Sequence, residues 1–351
     1  MLEQVTIALD GMGGDKGPEV ILAGAELALL HKPRTNFLIY GDEAQLKPIL
    51  HRLPALAKVS TIHHCDVSIS MEAKPSQALR QGRKVSSMWQ AIDAVRQGKA
   101  QGIVSAGNTG ALMAMSKIIL KTLPGIERPA IACFWPTIGG EAVVLDVGAT
   151  IGGTARQYVQ FAVMGDAYAR IIFGLENPRI GILNIGEEEM KGTDNVKEAA
   201  ELLTESPLNF TGFVEGNGIG QGAADVIVTD GFTGNIALKT AEGTAIQFAS
   251  YLRHALNSSL MSKIGYLLAR RAFQALKMRM DPNNANGGMF LGLNGIVVKS
   301  HGGANRTGIA SAVDLAVEIA SAGIATRIAD ELDMVLGTQA TTPEKKLAST
   351  V

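Results

Sequence analysis

Several short apolar runs in this chain end at glycine-rich segments whose residue types suit the binding of an anion. Gly13 and Gly14 follow the run 5–9, and residues 107–110 follow the run 102–106. Glycine lets the backbone approach a ligand closely, and a helix that begins after it offers unpaired N–H groups with partial positive charge. One such segment is explained equally well by a tight turn, but several together favour a phosphate site. The candidate phosphate- or substrate-binding residues are Asp10, Gly13, Gly14, Lys74, Arg80, Ser105, Gly107, Asn108, Thr109, Gly110, Asp230 and Gly231.

Three cations are candidates for neutralising a bound phosphate. Arg80 has the planar fork that suits bidentate phosphate binding, while Lys74 and Lys299 would act as point charges. The alternative for each of the three is an ordinary solvated cation at the surface. Lys299 is the better candidate for a phosphate ligand, because it directly follows the apolar run 295–298. Among the nearby acids, Asp10, Asp15 and Asp230 have the wrong charge to touch phosphate, so we expect them to cap helices or orient cations.

Alternating strands and helices must position these residues. A helical pattern runs from Glu19 to His31 after Pro18, and apolar runs end at residues 40, 145, 184 and 228. This alternation predicts an α/β fold, a mostly parallel sheet covered by helices on both faces. Ligands of such sheets bind outside the carboxyl ends of the strands, where the glycine-rich segments fall.

The composition narrows the class of protein. In 351 residues, 46% are apolar and 19% are charged, and the net charge of −1 argues against a nucleic-acid-binding surface. The two cysteines, Cys65 and Cys133, lie far apart, which argues against a disulfide scaffold and for a reducing cytosol. The N-terminus shows no secretory signal pattern. We expect residues 1–336 to form a single α/β catalytic unit, either undivided or as two lobes around a cleft. Residues 337–351 are expected to be a flexible tail.

Several familiar chemistries lack their motifs. The chain has no GxxxxGK[ST], GxSxG or HExxH pattern. Two partial dinucleotide fingerprints fail at their third glycine, which would fall on Lys16 or on Gln221, and we expect no strand directly before Gly216. The run 63–66 contains metal-ligating residue types, but neighbours on a strand point to opposite faces. We therefore expect neither a metal nor a cofactor.

Residues 250–281 form a basic segment that interrupts the α/β pattern. From Arg253 to Met280 there are six Lys or Arg and no Asp or Glu, and apolar residues recur at helical spacing. A basic amphipathic helical excursion suits an anionic lipid surface or an acidic protein, although a helix that faces a core or a second subunit would look the same. The expected contact residues are Leu260, Ile264, Leu267, Arg270 and Arg271.

Ordered blocks along residues 4 to 335 make the chain similar to a known family. The blocks include ALDGMGGDKGPE (8–19), MEAKPSQALR (71–80), SAGNTGALMA (105–114), TLPGIERPA (122–130), QFAVMG (160–165), LNIGEEEMKG (183–192), DGFTGN (230–235) and LGLNGIVVKSHG (291–302). They resemble the bacterial phosphate acyltransferases of the PlsX family. The resemblance implies an enzyme that reversibly transfers a fatty acyl group from acyl carrier protein to inorganic phosphate, giving an acyl phosphate for phospholipid synthesis. It also implies a fold similar to isocitrate/isopropylmalate dehydrogenases and phosphotransacetylases, and a homodimer.

Such a transfer needs little from the protein beyond positioning and oxyanion stabilisation. Phosphate is a charged nucleophile, and a thiol with a pKa of about 8.5 is a fair leaving group. We expect Lys299, His301, Asn184 and Asn235 to be catalytic, with His301 as a general acid or as a structural residue, and the asparagines, together with Asn108, as donors to the oxyanion. The expected location is cytoplasmic with peripheral membrane association, near the downstream glycerol-3-phosphate acyltransferase.

Some residues depart from the family pattern, and other functions stay open. Where the family usually reads Asp-x-Gly-Ala-Asn-x-Asp, this chain has Asp146 to Gly152 without the asparagine amide and the last carboxylate. Val85 also replaces a common acid. The alternative is a phosphotransacetylase-like enzyme or an NAD-dependent dehydrogenase on the same scaffold. A non-enzymatic membrane scaffold that uses residues 253–280 is the third possibility.

Overall fold

An eleven-stranded sheet forms the centre of the computed structural model, which describes residues 4–274, 287–324, 327–328 and 330. Its order is β3-β2-β1-β4-β11-β10-β5-β6-β9-β7-β8. The strands are β1 Val5–Asp10, β2 Thr35–Gly41, β3 Ser60–His64, β4 Gly102–Ser105, β5 Ala130–Pro136, β6 Glu141–Leu145, β7 Ile180–Leu183, β8 Phe210–Val214, β9 Val226–Val228, β10 Gly288–Leu291 and β11 Ile296–Lys299. The central strands are buried along most of their length, as a sheet covered on both faces requires.

The sheet contains two parallel sets of strands that run in opposite directions. Strand β10 is antiparallel to β11 and β5, and β5 is antiparallel to β6, whereas the other pairs are parallel. The register nevertheless brings both sets of carboxyl ends to one level. Lys299, the last residue of β11, is paired with Ser105, the last residue of β4, and with Gly288 of β10. The next residue of β10, Met289, is paired with Ala132 of β5. Ala132 is in turn in register with Leu145 and Val228, the last residues of β6 and β9. The loops that follow the two sets therefore meet from opposite directions.

Helices cover both faces of the sheet. They are α1 Gly17–His31, α2 Glu43–Leu50, α3 Pro54–Ala57, α4 Pro75–Gly82, α5 Ser87–Arg96, α6 Thr109–Ile119, α7 Ala155–Phe173, α8 Asp194–Thr204, α9 Gly216–Gln221, α10 Gly231–Asn257, α11 Leu260–Leu268 and α12 Arg306–Ala322. One apolar core lies under α1, α2, α7, α8 and α12, and a second lies under α5 and α6 and the start of α10. The expected fold class is thus confirmed.

Local sequence explains where the longer helices begin and end. Helix α1 has a proline in its first turn, where a missing N–H is harmless. Helix α7 begins with a capping box, in which Thr154 and Gln157 exchange hydrogen bonds, and it ends at Gly174 in the left-handed conformation. These signals fix the frame on which the loops at the carboxyl ends are held.

Two strands lack a clear sequence signal, and one of them corrects an expectation. Strand β8 lies at the edge of the sheet, and Gly212 interrupts its apolar run. It ends two residues before Gly216, so a strand does precede the second glycine pattern, contrary to our expectation. That pattern still lacks its third glycine, because the position holds Gln221. Strand β10 pairs on one side with β11, the next strand in sequence, and on the other side with the distant strand β5, a partner that no local pattern reveals.

The helical excursion is present as the end of α10 and as α11. No residue of α11 is buried, and Leu260, Leu267 and Leu268 are among the most exposed apolar side chains. Residues 275–281 of the expected excursion and the expected tail 337–351 lie outside the described residues. Among the residues that the structure describes, no helix is long and apolar enough to cross a membrane.

Candidate functional site

Three loops that follow β1, β4 and β11 contact one another at the level where the strands end. The backbone N–H of Asp15 donates to the carbonyl of Gly302 at 2.9 Å. Gly14 adopts a φ of +87°, and a Cβ there would lie 3.0 Å from the Cβ of Ala106 and 3.1 Å from the carbonyl oxygen of Gly302. A glycine is required at this position both for its backbone conformation and for this close approach. Helices α1, α6 and α12 begin after these three loops.

The side chain of Asp10 links β1 to α5 and to β4 by hydrogen bonds. It is buried at the end of β1, and it accepts hydrogen bonds of 2.7 Å from the hydroxyl groups of Ser87 and Ser105. Ser105 in turn accepts the N–H of Gly107 at 3.1 Å. Burial raises the pKa of the Asp10 carboxyl, while the two serine hydrogen bonds oppose that shift. Asp10 and Ser105 therefore hold the loops in place, and their polar atoms are occupied in doing so.

Lys299 is the cation that the structure places among these loops. Its Nζ donates to the carbonyl oxygen of Ala106 at 3.3 Å and also to that of Ser300. Burial lowers the pKa of Lys299 to about 8, although the carboxylates of Asp15 and Asp10 act in the opposite direction. A partly buried ammonium between the loops after β4 and β11 offers a positive charge for an anion.

Asn108 has a different role from the expected one. Its side-chain amide donates to the carbonyls of Met71 and Ala73 at 2.6 and 3.0 Å, and its Oδ1 caps the N–H of Ala111. Because both amide hydrogens have carbonyl acceptors, the side chain positions the loop and is not aimed at an oxyanion.

The neighbouring candidates lie around this same loop. Thr109 and Gly110 begin α6 and are half-buried, and a Cβ on Gly110 would lie 2.8 Å from the Pro75 ring. Lys74 is exposed and immediately precedes Pro75, the residue that packs against Gly110, so its backbone lies near Gly110. Arg80 is also exposed on α4, and the hydrogen bonds of the described residues do not connect it to the loops.

A second group of loops follows β6 and β9 from the opposite direction. The buried Asp146 accepts four backbone N–H groups, from Ile131, Gly148, Ala149 and Thr150, at 2.8–3.0 Å. Burial raises its pKa, and the backbone N–H donors oppose that shift. Although the loop 146–152 departs from the family pattern, the carboxylate of its first residue, Asp146, still holds the loop in place.

The start of α10 is packed against this loop. Gly231 donates its N–H to Thr150 Oγ1 at 3.0 Å, and Asp230 caps the helix by accepting the N–H groups of Phe232 and Thr233. Asn235 lies one turn further on, exposed and close to Gly148.

Asn184 takes part in a more local arrangement. Its Nδ2 donates to the carbonyl of Lys191 at 3.1 Å, and its Oδ1 accepts the N–H of Ile185 at 2.9 Å. These two hydrogen bonds stabilise the loop that follows β7.

Helix α10 connects the two groups of loops through a pair of residues that our sequence interpretation missed. Lys239 Nζ lies 2.7 Å from Glu242 Oε2 and 3.5 Å from His301 Nε2. The only sequence signal was helical spacing, because Lys239 falls one turn after Asn235. Burial lowers the pKa of His301, and the nearby charge of Lys239 lowers it further.

The run 63–66 does not assemble a metal site. His63 stacks on Tyr40 with ring centroids 4.8 Å apart, whereas His64 contacts Asp66 at 2.8 Å. Within the described part of the chain, no group of three or more His, Cys, Asp or Glu could hold a metal ion.

The overall arrangement is similar to that of solved phosphotransacetylases. The structure matches a phosphotransacetylase from Streptococcus pyogenes with a TM-score of 0.59 and 20% identity, over 90% of this chain and 94% of that one. It also matches the EutD phosphotransacetylase from Staphylococcus aureus with a TM-score of 0.56 and 18% identity, over 91% and 95%. These similarities define the class: an α/β protein with the phosphotransacetylase fold.

Sequence relatives specify the family within this class. A family model described as "fatty acid synthesis protein" matches residues 5–327. The phosphate acyltransferase of Parvibaculum lavamentivorans is 58% identical over 96% of this chain and 94% of the relative, and that of Afipia carboxidovorans is 59% identical over 93% and 94%. The chain belongs to this phosphate acyltransferase family. It is an acyltransferase, and the acyl transfer to phosphate that we expected is confirmed at the level of the family.

Proposed function

We propose that the loops after β1, β4 and β11 bind inorganic phosphate and present it to the thioester of an acyl carrier protein. The convergence of these loops around the Lys299 ammonium carries this proposal. Helices α1 and α6 begin directly after the loops that follow β1 and β4, and a helix N-terminus favours an anion. Asp15 is close enough to interact with Lys299, so the carboxylate orients this cation and leaves the phosphate contacts to N–H donors.

The reaction at this site follows from the chemistry of the two substrates. A phosphate oxygen attacks the thioester carbon, a C–O bond forms, and the carbonyl oxygen becomes an oxyanion. The C–S bond then breaks, and the carrier thiolate leaves with the electron pair and takes up a proton. Both the thioester and the acyl phosphate are activated acyl groups, so the transfer is reversible and needs no nucleotide. The protein contributes orientation and electrostatic stabilisation of the oxyanion.

Two candidate donors for the oxyanion lie near the meeting point of the two groups of loops. His301 follows β11 and contacts Lys239 of α10, while Asn235 is exposed in the first turns of α10. Because α10 starts from the group of loops opposite to Lys299, Asn235 can approach the acyl group from the side away from the phosphate, whereas His301 approaches it from the Lys299 side.

The proposed function is tested by a direct assay with one pair of variants. Acyl-carrier-protein thioester and phosphate are mixed, and hydroxylamine traps the acyl phosphate as a hydroxamate. Lys299→Met should lower kcat/KM for phosphate by about 10- to 100-fold, the range expected for one lost charge-assisted interaction. Lys58→Met, an exposed lysine after α3, is the control and should have no effect. Equal activity of the two variants would contradict this assignment of the phosphate site.

We also propose that α11 docks on an anionic membrane surface. Leu260, Ile264 and Leu267 repeat at helical spacing and are 78%, 47% and 67% exposed, and Arg270 and Arg271 follow as exposed cations. Exposed apolar side chains next to cations are typical of helices that lie in a lipid interface. A cytoplasmic location, a homodimer and delivery of the product to glycerol-3-phosphate acyltransferase remain predictions from the family resemblance.

A further inference from the structure

Lys239, Glu242 and His301 form a contact between the two groups of loops that the proposed phosphate site does not explain. Lys239 and Glu242 lie on α10, which follows β9, whereas His301 follows β11. An exposed lysine–glutamate pair at this spacing contributes little to folding stability by itself. The contact of Lys239 with His301, 62 residues away in sequence, is the informative feature.

A backbone hydrogen bond fixes which nitrogen of His301 carries the proton. The N–H of Gly303 donates to His301 Nδ1 at 3.1 Å, so Nδ1 is the acceptor. In the neutral ring, the proton therefore lies on Nε2, which is the nitrogen that faces Lys239. The other tautomer would gain a contact of 3.5 Å with Lys239, at the limit of a hydrogen bond, and would lose the shorter bond to Gly303.

Two donors therefore face each other at 3.5 Å. Neither the ammonium of Lys239 nor the N–H of His301 Nε2 can accept a hydrogen bond from the other. An oxygen atom with negative charge can accept from both at once. In the described part of the chain, the charged groups that face His301 include Lys239 and Glu242 from α10, Lys299 from β11 and Asp15 from the loop after β1. Two of these are cations, so a third positive charge on the ring is disfavoured.

We propose that Lys239 and His301 Nε2 together bind one anionic oxygen of the reacting group, and that Glu242 is the positioning residue for Lys239. This inference rests on the proposed function, because it places a second pair of donors beside the Lys299 phosphate site. The oxygen belongs either to the bound phosphate or to the oxyanion that forms at the thioester carbon. Both sources offer the same chemistry, a negatively charged oxygen that accepts two charge-assisted or neutral hydrogen bonds.

Steady-state kinetics distinguish the two sources of the oxygen. Lys239→Met should lower kcat/KM by about 10- to 100-fold, as expected for one charge-assisted hydrogen bond. A rise in KM for phosphate with unchanged kcat assigns the oxygen to phosphate, and a fall in kcat at unchanged KM assigns it to the oxyanion. Lys239→Arg should recover part of the loss, and Glu242→Gln should have a smaller effect than Lys239→Met.

The matched control is another lysine–carboxylate pair with the same spacing on a helix. Lys197 Nζ lies 2.9 Å from Asp194 Oδ1 on α8, which follows β7 and belongs to neither group of loops. Lys197→Met should therefore leave kcat and KM unchanged. If Lys239→Met unfolds the chain, Lys239→Arg and Glu242→Gln give the same decision, because both retain most of the side chain.

A spectroscopic measurement tests the contact without relying on activity. The pKa of His301 is followed by NMR of histidine-labelled protein, with His301→Gln for assignment. Lys239→Met should raise this pKa, because a neighbouring positive charge is lost, and Lys197→Met should leave it unchanged. Glu242→Gln should lower it, because a neighbouring negative charge is lost.

The outcomes separate this inference from the phosphate site. If Lys299→Met reduces activity but Lys239→Met has the kinetic constants of the wild type, the phosphate site stands and the inference is overturned. If neither variant changes activity, the phosphate site itself is wrong. An unchanged His301 pKa in Lys239→Met would also overturn the inference.

Discussion

A Cβ atom on Gly13 would lie 2.7 Å from the backbone nitrogen of Gly107. This approach is closer than side-chain carbons tolerate, and the atom it would meet is backbone, which cannot rotate away. The loops after β1 and β4 are therefore in direct backbone contact, and a glycine at position 13 permits it. The contact lies beside Asp10, whose Oδ2 would be 2.9 Å from the same added atom.

Gly13→Ala should separate these two loops and weaken phosphate binding. We expect KM for phosphate to rise by about tenfold or more, since small displacements of binding groups are costly. Gly216→Ala is the matched control, because a Cβ there meets no atom within 4 Å. Hydroxamate trapping at a series of phosphate concentrations provides the measurement. An unchanged KM in Gly13→Ala would show that the loops do not hold the phosphate.

The depressed pKa of Lys299 predicts an alkaline limit for phosphate binding. Lysine loses its charge as the pH rises through its pKa, which burial lowers to about 8. The value of kcat/KM for phosphate, which reports groups of the free enzyme, should thus fall above pH 8.

Lys299→Arg should remove this limit, because a guanidinium stays charged throughout the range. The comparison is made as a pH profile of the two proteins under the same phosphate concentrations. Persistence of the same alkaline limb in Lys299→Arg would assign it to another group.

The first turns of α10 should tolerate no added side-chain atom at Gly234. A Cβ there would lie 2.0 Å from the carbonyl oxygen of Asp146, so the helix would be forced away from the loop after β6. Gly234→Ala should lower the free energy of unfolding by about 2–3 kcal/mol or more.

Gly243→Ala tests the same chemical change on the same helix. Gly243 is exposed, with no atom within 4 Å of an added Cβ, and alanine should stabilise the helix by about 1 kcal/mol. Denaturant unfolding curves compare the two variants. Equal stability of the two variants would mean that the α10 start is not packed as described.

Membrane docking of α11 should depend on its apolar face. Liposomes that contain anionic lipid should sediment the wild-type protein, and Leu260→Glu combined with Ile264→Glu should abolish this binding through lost apolar contact and added negative charge. The variant should retain soluble acyltransferase activity, because no residue of α11 is buried against the rest of the described structure.

Leu30→Glu is the control for the liposome experiment. Leu30 is 77% exposed on α1, similar to Leu260 at 78%, but it has no neighbouring cluster of exposed apolar residues on its helix. It should leave lipid binding unchanged. Unchanged sedimentation of the α11 double variant would rule out this face as the lipid contact.

The sequence alone determined the class of fold and the parts of the site that are local. Apolar runs that end in glycine, Pro18 at the start of α1 and the helix pattern to His31 are short-range signals, and the strands and helices follow them closely. The carboxyl ends of parallel strands must also carry the ligand loops, so Gly14 and Lys299 could be found without a structure.

Only the tertiary structure decided how the two groups of loops meet and which polar atoms remain for a substrate. Three antiparallel pairings through β10 and β5 reverse half of the sheet. One of them, the pairing of β10 with β5, joins residues more than a hundred positions apart, such as Met289 and Ala132. The amide of Asn108 is used by Met71 and Ala73, and Lys239 reaches His301 across the two groups. Hydrogen bonds of this kind depend on distances in space between remote segments, and local residue patterns carry no record of those distances.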